Sequence, residues 1–223
     1  MTRKLYFEAI LKISAGVALM SVLLFLPAGT VDYPGGWLLM GVLFIPMFLA
    51  GLVMMAKNPD LLRSRLKAKE KEREQDMVIK LSGLMFLVGF ILAGLDFRFG
   101  WSNLPFSVNY VGAALFLLAY ALYAEVLREN TWLSRIIEVQ ENQTVVSTGL
   151  YGIVRHPMYA ATLLLFLSMP IVLGSIPAFL VFLCYPLIIA KRIRNEEEVL
   201  SRDLPGYTEY LQKVRWRLIP YIW

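Results

Sequence analysis

Long apolar blocks separated by short polar connections dominate this chain. Apolar runs cover about 5–27, 36–56, 78–97 and 107–127. Each approaches or exceeds the roughly 20 residues that a helix needs to cross bilayer hydrocarbon. The runs show neither the alternation of half-buried strands nor the narrow stripe of a soluble amphipathic helix. A further apolar stretch runs from about 159 to 190, and Gly174-Ser175-Ile176-Pro177 divides it into two arms of about 15 residues each. Arms that short predict tilted helices, or a hairpin that turns near the far interface. The pattern predicts an all-α integral membrane protein of about five to six transmembrane helices. These include a C-terminal helical hairpin, with cytoplasmic interfacial helices and a folded C-terminal tail.

The polar connections carry their own signals. The charged stretch 63–76 predicts a solvated helix, which Asn58 or Asp60 could cap, and which serves as a surface connector or as a flap over a site. In 129–147, Trp132, Leu133, Ile136 and Ile137 fall at helical spacing between polar residues, which predicts a short interfacial helix anchored by Trp132. Pro46, Pro170 and Pro186 lie inside apolar runs, where each can kink a helix. Asp96 and Arg98 are expected to pair at the outer end of the third span. Glu125 lies near the inner end of the fourth, where it is either a functional acid or a snorkelling one. After residue 191 the tail mixes aromatic and charged residues, and Pro205-Gly206 interrupts its helical pattern. Such a tail is expected to fold back and wall off a pocket.

Composition agrees with the pattern. The chain is 58% hydrophobic, and its mean hydropathy is +0.59. We read 1–223 as a single membrane domain. Residues 1–128 supply four spans with a cytoplasmic connector at 57–77, and 129–223 hold the candidate chemistry. The net charge of +5 does not point to nucleic acid, because Lys and Arg concentrate in alternate connections and in the tail, as the positive-inside rule requires. Both termini are then cytoplasmic, and the excess charge meets anionic lipid. The acidic and basic interruptions Glu8 and Lys12 argue for a retained first helix over a cleaved leader. The short chain points to a prokaryotic inner membrane. Cys184, the single cysteine, reads as a small buried hydrophobe.

Metal-protease, nucleophile-elbow, P-loop and dinucleotide-binding patterns are absent from the sequence. Two polar clusters stand at the two ends of the 159–190 stretch. The first holds Tyr151, Arg155, the chain's one histidine His156, and Tyr159. The second holds Arg192, Glu196 and Glu197. Arg192 and Glu196 are four apart and share a helix face, whereas Glu197 is rotated by about 100°. One acid can therefore pair with arginine while the other points at a ligand.

The run Gly149-x-Tyr151-x-x-x-Arg155-His156-Pro157-x-Tyr159 resembles the first signature of the isoprenylcysteine carboxyl methyltransferase and phospholipid methyltransferase superfamily. The run Arg192-x-x-x-Glu196-Glu197-x-x-Leu200, then Gly206-Tyr207-x-x-Tyr210 and Arg217-x-x-Pro220, is similar to its second. Ala161 stands where the family often has glycine, which bears only on how closely helices pack there. The resemblance implies a membrane enzyme that uses S-adenosylmethionine (SAM), with a lipophilic small-molecule or lipidated acceptor entering from the bilayer. Carried over by position, Gly149, Leu150, Tyr151, Arg155, His156, Pro157, Tyr159, Glu197, Tyr207 and Tyr210 are expected to bind the cofactor or shape its pocket. Arg192 and Glu196 are expected to act on the reacting group, with no metal. Residues 129–223 become the catalytic region. A phospholipid amine N-methyltransferase is the near alternative. A non-catalytic transporter or assembly factor that retains the fold is the distant one. Oligomeric state and the acceptor stay open.

Overall fold

A computed structural model describes residues 2–57, 73–133 and 139–223. The expected connector helix and flap fall on 58–72 and lie outside the described residues. Helices α1 (Thr2–Ala28), α2 (Pro34–Lys57), α3 (Arg73–Phe99) and α4 (Ser107–Glu129) follow the four apolar runs. Next come a short 3₁₀ turn at Gly149–Gly152, α5 (Pro157–Leu173), α6 (Ile176–Phe182), α7 (Tyr185–Asp203) and α8 (Tyr207–Lys213). Among the described residues there is no strand.

Five stretches are long and apolar enough to cross a bilayer, and α5 is an apolar helix of 17 residues. Leu, Phe, Val and Ile cover their outward faces, where lipid replaces water, so the exposed Phe7, Leu26, Ile45 and Leu187 are in place. The protein is thus integral and multi-pass. Its core gathers Leu24, Leu39, Phe116, Val172, Phe182 and Ile193 from six helices.

α4 and α5 form the tightest helix pair. A Cβ on Gly112 would stand 2.5 Å from the Val172 nitrogen, so only glycine allows this approach. The last carbonyls of α5 would be left unbonded in an apolar interior. Asn109 donates to the Val172 oxygen (2.8 Å) and the Tyr33 hydroxyl donates to that of Leu173 (2.9 Å). α5 is therefore fixed at its far end before its near end meets the polar connection.

The hairpin turn falls where expected. Gly174 takes the left-handed conformation at φ 69, and the Ser175 hydroxyl caps α6 by accepting from the Ala178 N–H. The second arm is longer than expected: α6 and α7 together run 28 residues, from Ile176 to Asp203. Pro186 has no N–H to continue the helix, so the chain loosens at Leu183–Cys184 and re-enters helix at once. The polar cluster Arg192–Glu198 is consequently the end of a spanning helix.

Three further expectations need correction. Asp96 does not pair with Arg98: it is buried and accepts from the Ser102 N–H and hydroxyl, both at 2.7 Å, while Arg98 lies over Phe99. Asn130–Leu133 form a turn, because the Asn130 side chain accepts from the Trp132 N–H and donates to the Tyr151 hydroxyl. The rest of the expected interfacial helix falls partly on 134–138, outside the described residues, and 139–148 are not helical. Cys184 is exposed, on the lipid side of the break, and not buried.

Candidate functional site

The near end of α5 is built from the first motif. Gly149 sits at φ 51, and a Cβ there would overlap the Glu129 carboxylate, so the turn requires glycine. Glu129, at the end of α4, accepts from the Leu150 N–H at 2.9 Å. The turn delivers Tyr151 inward, and its hydroxyl accepts from Asn130 at 2.9 Å. Burial pushes the Tyr151 phenol up to about 12, so it stays neutral. Pro157 opens α5 at a position where a missing N–H costs nothing.

The tail folds onto this connection. The Arg155 and His156 N–H groups donate to the Trp216 and Arg217 carbonyls, both at 2.9 Å. The Arg155 guanidinium donates to the carbonyls of Leu211 in the last turn of α8 (3.0 Å) and of Val214 just beyond it (2.6 Å). The Tyr210 hydroxyl donates to the Tyr151 carbonyl at 2.7 Å. Leu204, Tyr207, Tyr210 and Val214 form a small second core, apart from the membrane core.

α7 supplies the facing wall through two adjacent stripes. Ile189, Ile193 and Glu197 turn inward and are buried. Arg192, Glu196 and Leu200 follow at the next positions round and line a cavity. This cavity is open on one side, and about 810 Å³ of empty space, open solvent included, lies within it and its mouth. Tyr151, Arg155, His156, Tyr159, Tyr207 and Tyr210 also line it, as do Trp132 and Gln143 of the connection.

Within the cavity Arg192 Nε donates to the Tyr159 hydroxyl at 2.9 Å, and that hydroxyl donates to Glu196 in a short hydrogen bond. His156 is buried between the two acids, with Nδ1 3.8 Å from Glu196 and Nε2 3.3 Å from Glu197. Glu197 also accepts from Arg155 (3.1 Å) and Arg217 (2.8 Å). The Tyr207 hydroxyl is buried without a hydrogen-bond partner. Burial and the Glu197 and Glu196 charges push its phenol well up, so it stays a donor.

The structure brings together eight of the twelve expected site residues on the cavity wall: Tyr151, Arg155, His156, Tyr159, Arg192, Glu196, Tyr207 and Tyr210. Gly149, Leu150 and Pro157 stand behind it and shape the backbone. Glu197 is displaced from its expected place: it faces the arginines and not the cavity, because its position round α7 points it at the tail. Glu125 is exposed and pairs with Arg128 at 2.5 Å, away from the cavity. Asn130 and Glu129 had no role in the sequence reading, and Trp132 figured there as an interfacial anchor, not as a cavity residue. Among the described residues no group of three or more His, Cys, Asp or Glu could hold a metal.

Fold and site together define a multi-pass helical membrane protein with a cavity where the hairpin and tail meet. The isoprenylcysteine carboxyl methyltransferase (ICMT) family pattern matches residues 110–202, which contain the first motif and the start of the second. The solved structure of a eukaryotic intramembrane Ras methyltransferase, ICMT, superposes with a TM-score of 0.59 at 19% identity, over 96% of this chain and 77% of that one. The chain is ICMT-like, in sequence over that region and in fold nearly throughout. Two curated proteins are 28% identical: the Delta(14)-sterol reductase TM7SF2 of Mus musculus over 90 residues, and the cobalt-zinc-cadmium resistance protein CzcN of Cupriavidus metallidurans over 128. They match over 39% and 57% of this chain, and the matches span 22% and 57% of their own lengths.

Proposed function

We propose that this chain is a SAM-dependent methyltransferase that modifies a lipophilic acceptor at the cytoplasmic face of a membrane. The observation that carries the reading is the cavity in which Arg192, Tyr159 and Glu196 form one hydrogen-bonded line beside the unpartnered Tyr207 hydroxyl. A buried donor without an acceptor costs about 1–3 kcal/mol, which a polar ligand would return. The aromatic walls and single lining carboxylate also fit a cationic, partly apolar cofactor.

SAM held there would supply an electrophilic methyl group. Tyr151, His156, Tyr207 and Tyr210 would form its bed, and Glu196 would favour its positive charge. Arg192, oriented by Tyr159, would hold an acceptor carboxylate, and alignment of that kind contributes several kcal/mol to such displacements. If the acceptor is an amine, Glu196 would take its proton. The apolar arms α5 and α6 keep the acceptor's tail in the bilayer. The Lys and Arg distribution supports a cytoplasmic site with both termini on that side.

The test is transfer of label from methyl-labelled SAM to a panel of prenylcysteine acids, lipophilic thiols and phospholipid amines, with purified protein in lipid. Label on one class names the acceptor. No transfer to any class by folded protein that binds SAM would refute lipophilic acceptors.

A further inference from the structure

We infer that Glu197 is a positioning residue that latches the C-terminal tail over the cavity, and that it does not itself touch what binds there. Both of its oxygens are engaged: Oε1 by Arg155 and His156, and Oε2 by Arg217. These partners come from the connection before α5 and from the tail, while Glu197 itself belongs to α7. One buried carboxylate therefore ties three segments distant in sequence.

The network extends beyond the ion pairs. Arg155 reaches past Glu197 to the Leu211 and Val214 carbonyls at the exit of α8, and the backbones of 155–156 and 216–217 are paired. Without the Glu197 charge, the Arg155 and Arg217 guanidiniums would share a half-buried space with no carboxylate to offset them. The cheapest relief is for the tail to lift, since Arg217 is 34% exposed and can turn to solvent. Lifting the tail moves α8, which carries Tyr207 and Tyr210 of the cavity wall. It also frees His156 Nε2, whose contact with Glu197 aims Nδ1 at Glu196. Glu197 thus acts on the site through Arg155, Arg217 and His156.

The latch follows from geometry alone, and its effect on turnover rests on the methyltransferase reading. The experiment separates the two. Full-length protein in detergent is digested briefly with trypsin as wild type, Glu197→Gln, Arg217→Gln and the double variant. Lys213 and Arg215 are present in all four. Cleavage there is expected to accelerate about tenfold in each single variant, while the spans keep their unfolding temperature. The double variant should add little to either single one, because both break the same tie. Glu196→Gln should leave the tail protected. If Glu197→Gln fails to fold, Arg217→Gln decides, since it leaves Glu197 paired with Arg155 and His156. Wild-type cleavage rates in the folded variants would overturn the latch.

In turnover the latch predicts a KM for SAM raised about tenfold with kcat nearly unchanged, as expected when wall order and not chemistry is lost. A fall in kcat at constant KM would place Glu197 among the reacting groups and refute the proposal. If the wild type binds no SAM, the methyltransferase reading fails and the digestion still decides the latch.

Discussion

At the scale of single residues, Tyr207 and Glu196 make opposite demands on the protein. The Tyr207 hydroxyl is buried without a partner. Removing it as Tyr207→Phe should raise the ligand-free unfolding temperature slightly and weaken SAM binding by about 1 kcal/mol, or roughly fivefold. Differential scanning fluorimetry with and without SAM reads both signs in one series, and a variant that loses stability while keeping affinity would contradict the assignment. Glu196→Gln should leave SAM binding within a fewfold and lower kcat by about 10²-fold or more if it serves as base. Steady-state kinetics against each acceptor class checks this. The family resemblance put both adjacent acids at the site, Glu197 on the cofactor and Glu196 on the reacting group. Helical geometry says only that they diverge by about 100°. The choice is made by Arg217, twenty residues downstream, which draws Glu197 to itself. No local pattern carries that information.

At the scale of elements, the site depends on three joints. The first is the tight turn at Gly149, where positive φ and the Glu129 carboxylate both exclude a side chain. Gly149→Ala should cost about 1–3 kcal/mol of stability and disturb the turn that delivers Tyr151. Thermal unfolding checks it, and an unchanged midpoint would mean the turn relaxes freely. The second joint is the break at Leu183–Cys184, which hydropathy cannot register because the apolar run continues through it. The sequence reading closed the second arm at about 190, where the apolar run ends, and the structure carries the helix on to Asp203. The third is the tail. Its order was legible from Pro205-Gly206 and the tyrosines. Its docking partner was not, because the bonds run to the carbonyls and N–H groups of distant residues. Deleting 205–223 removes Tyr207 and Tyr210 and leaves Arg155 unpaired with the tail. Such a truncation should lose SAM binding while the spans remain folded by circular dichroism.

At the scale of the whole molecule, the spans were the easiest part to read. Lipid rewards apolar faces over entire helices, so hydropathy alone located α1 to α4 within a few residues, apart from the earlier start of α3. The end-to-end alternation of the helices puts the first motif, the end of α7 and the tail at one end of the bundle. The proposed function puts that end in the cytoplasm. In a Cys184→Ser background, a membrane-impermeant maleimide added to sealed cells should label Asn103→Cys. It should reach Gln212→Cys only after permeabilisation, and the reverse pattern would invert the topology. The central claim, however, is that the cavity between hairpin and tail binds a sulfonium cofactor. Calorimetric titration of the purified protein in detergent with SAM and with S-adenosylhomocysteine tests it most directly. The account predicts saturable micromolar binding of both, weakened by Tyr207→Phe. A folded protein that binds neither would contradict it and leave the ICMT likeness as one of fold alone.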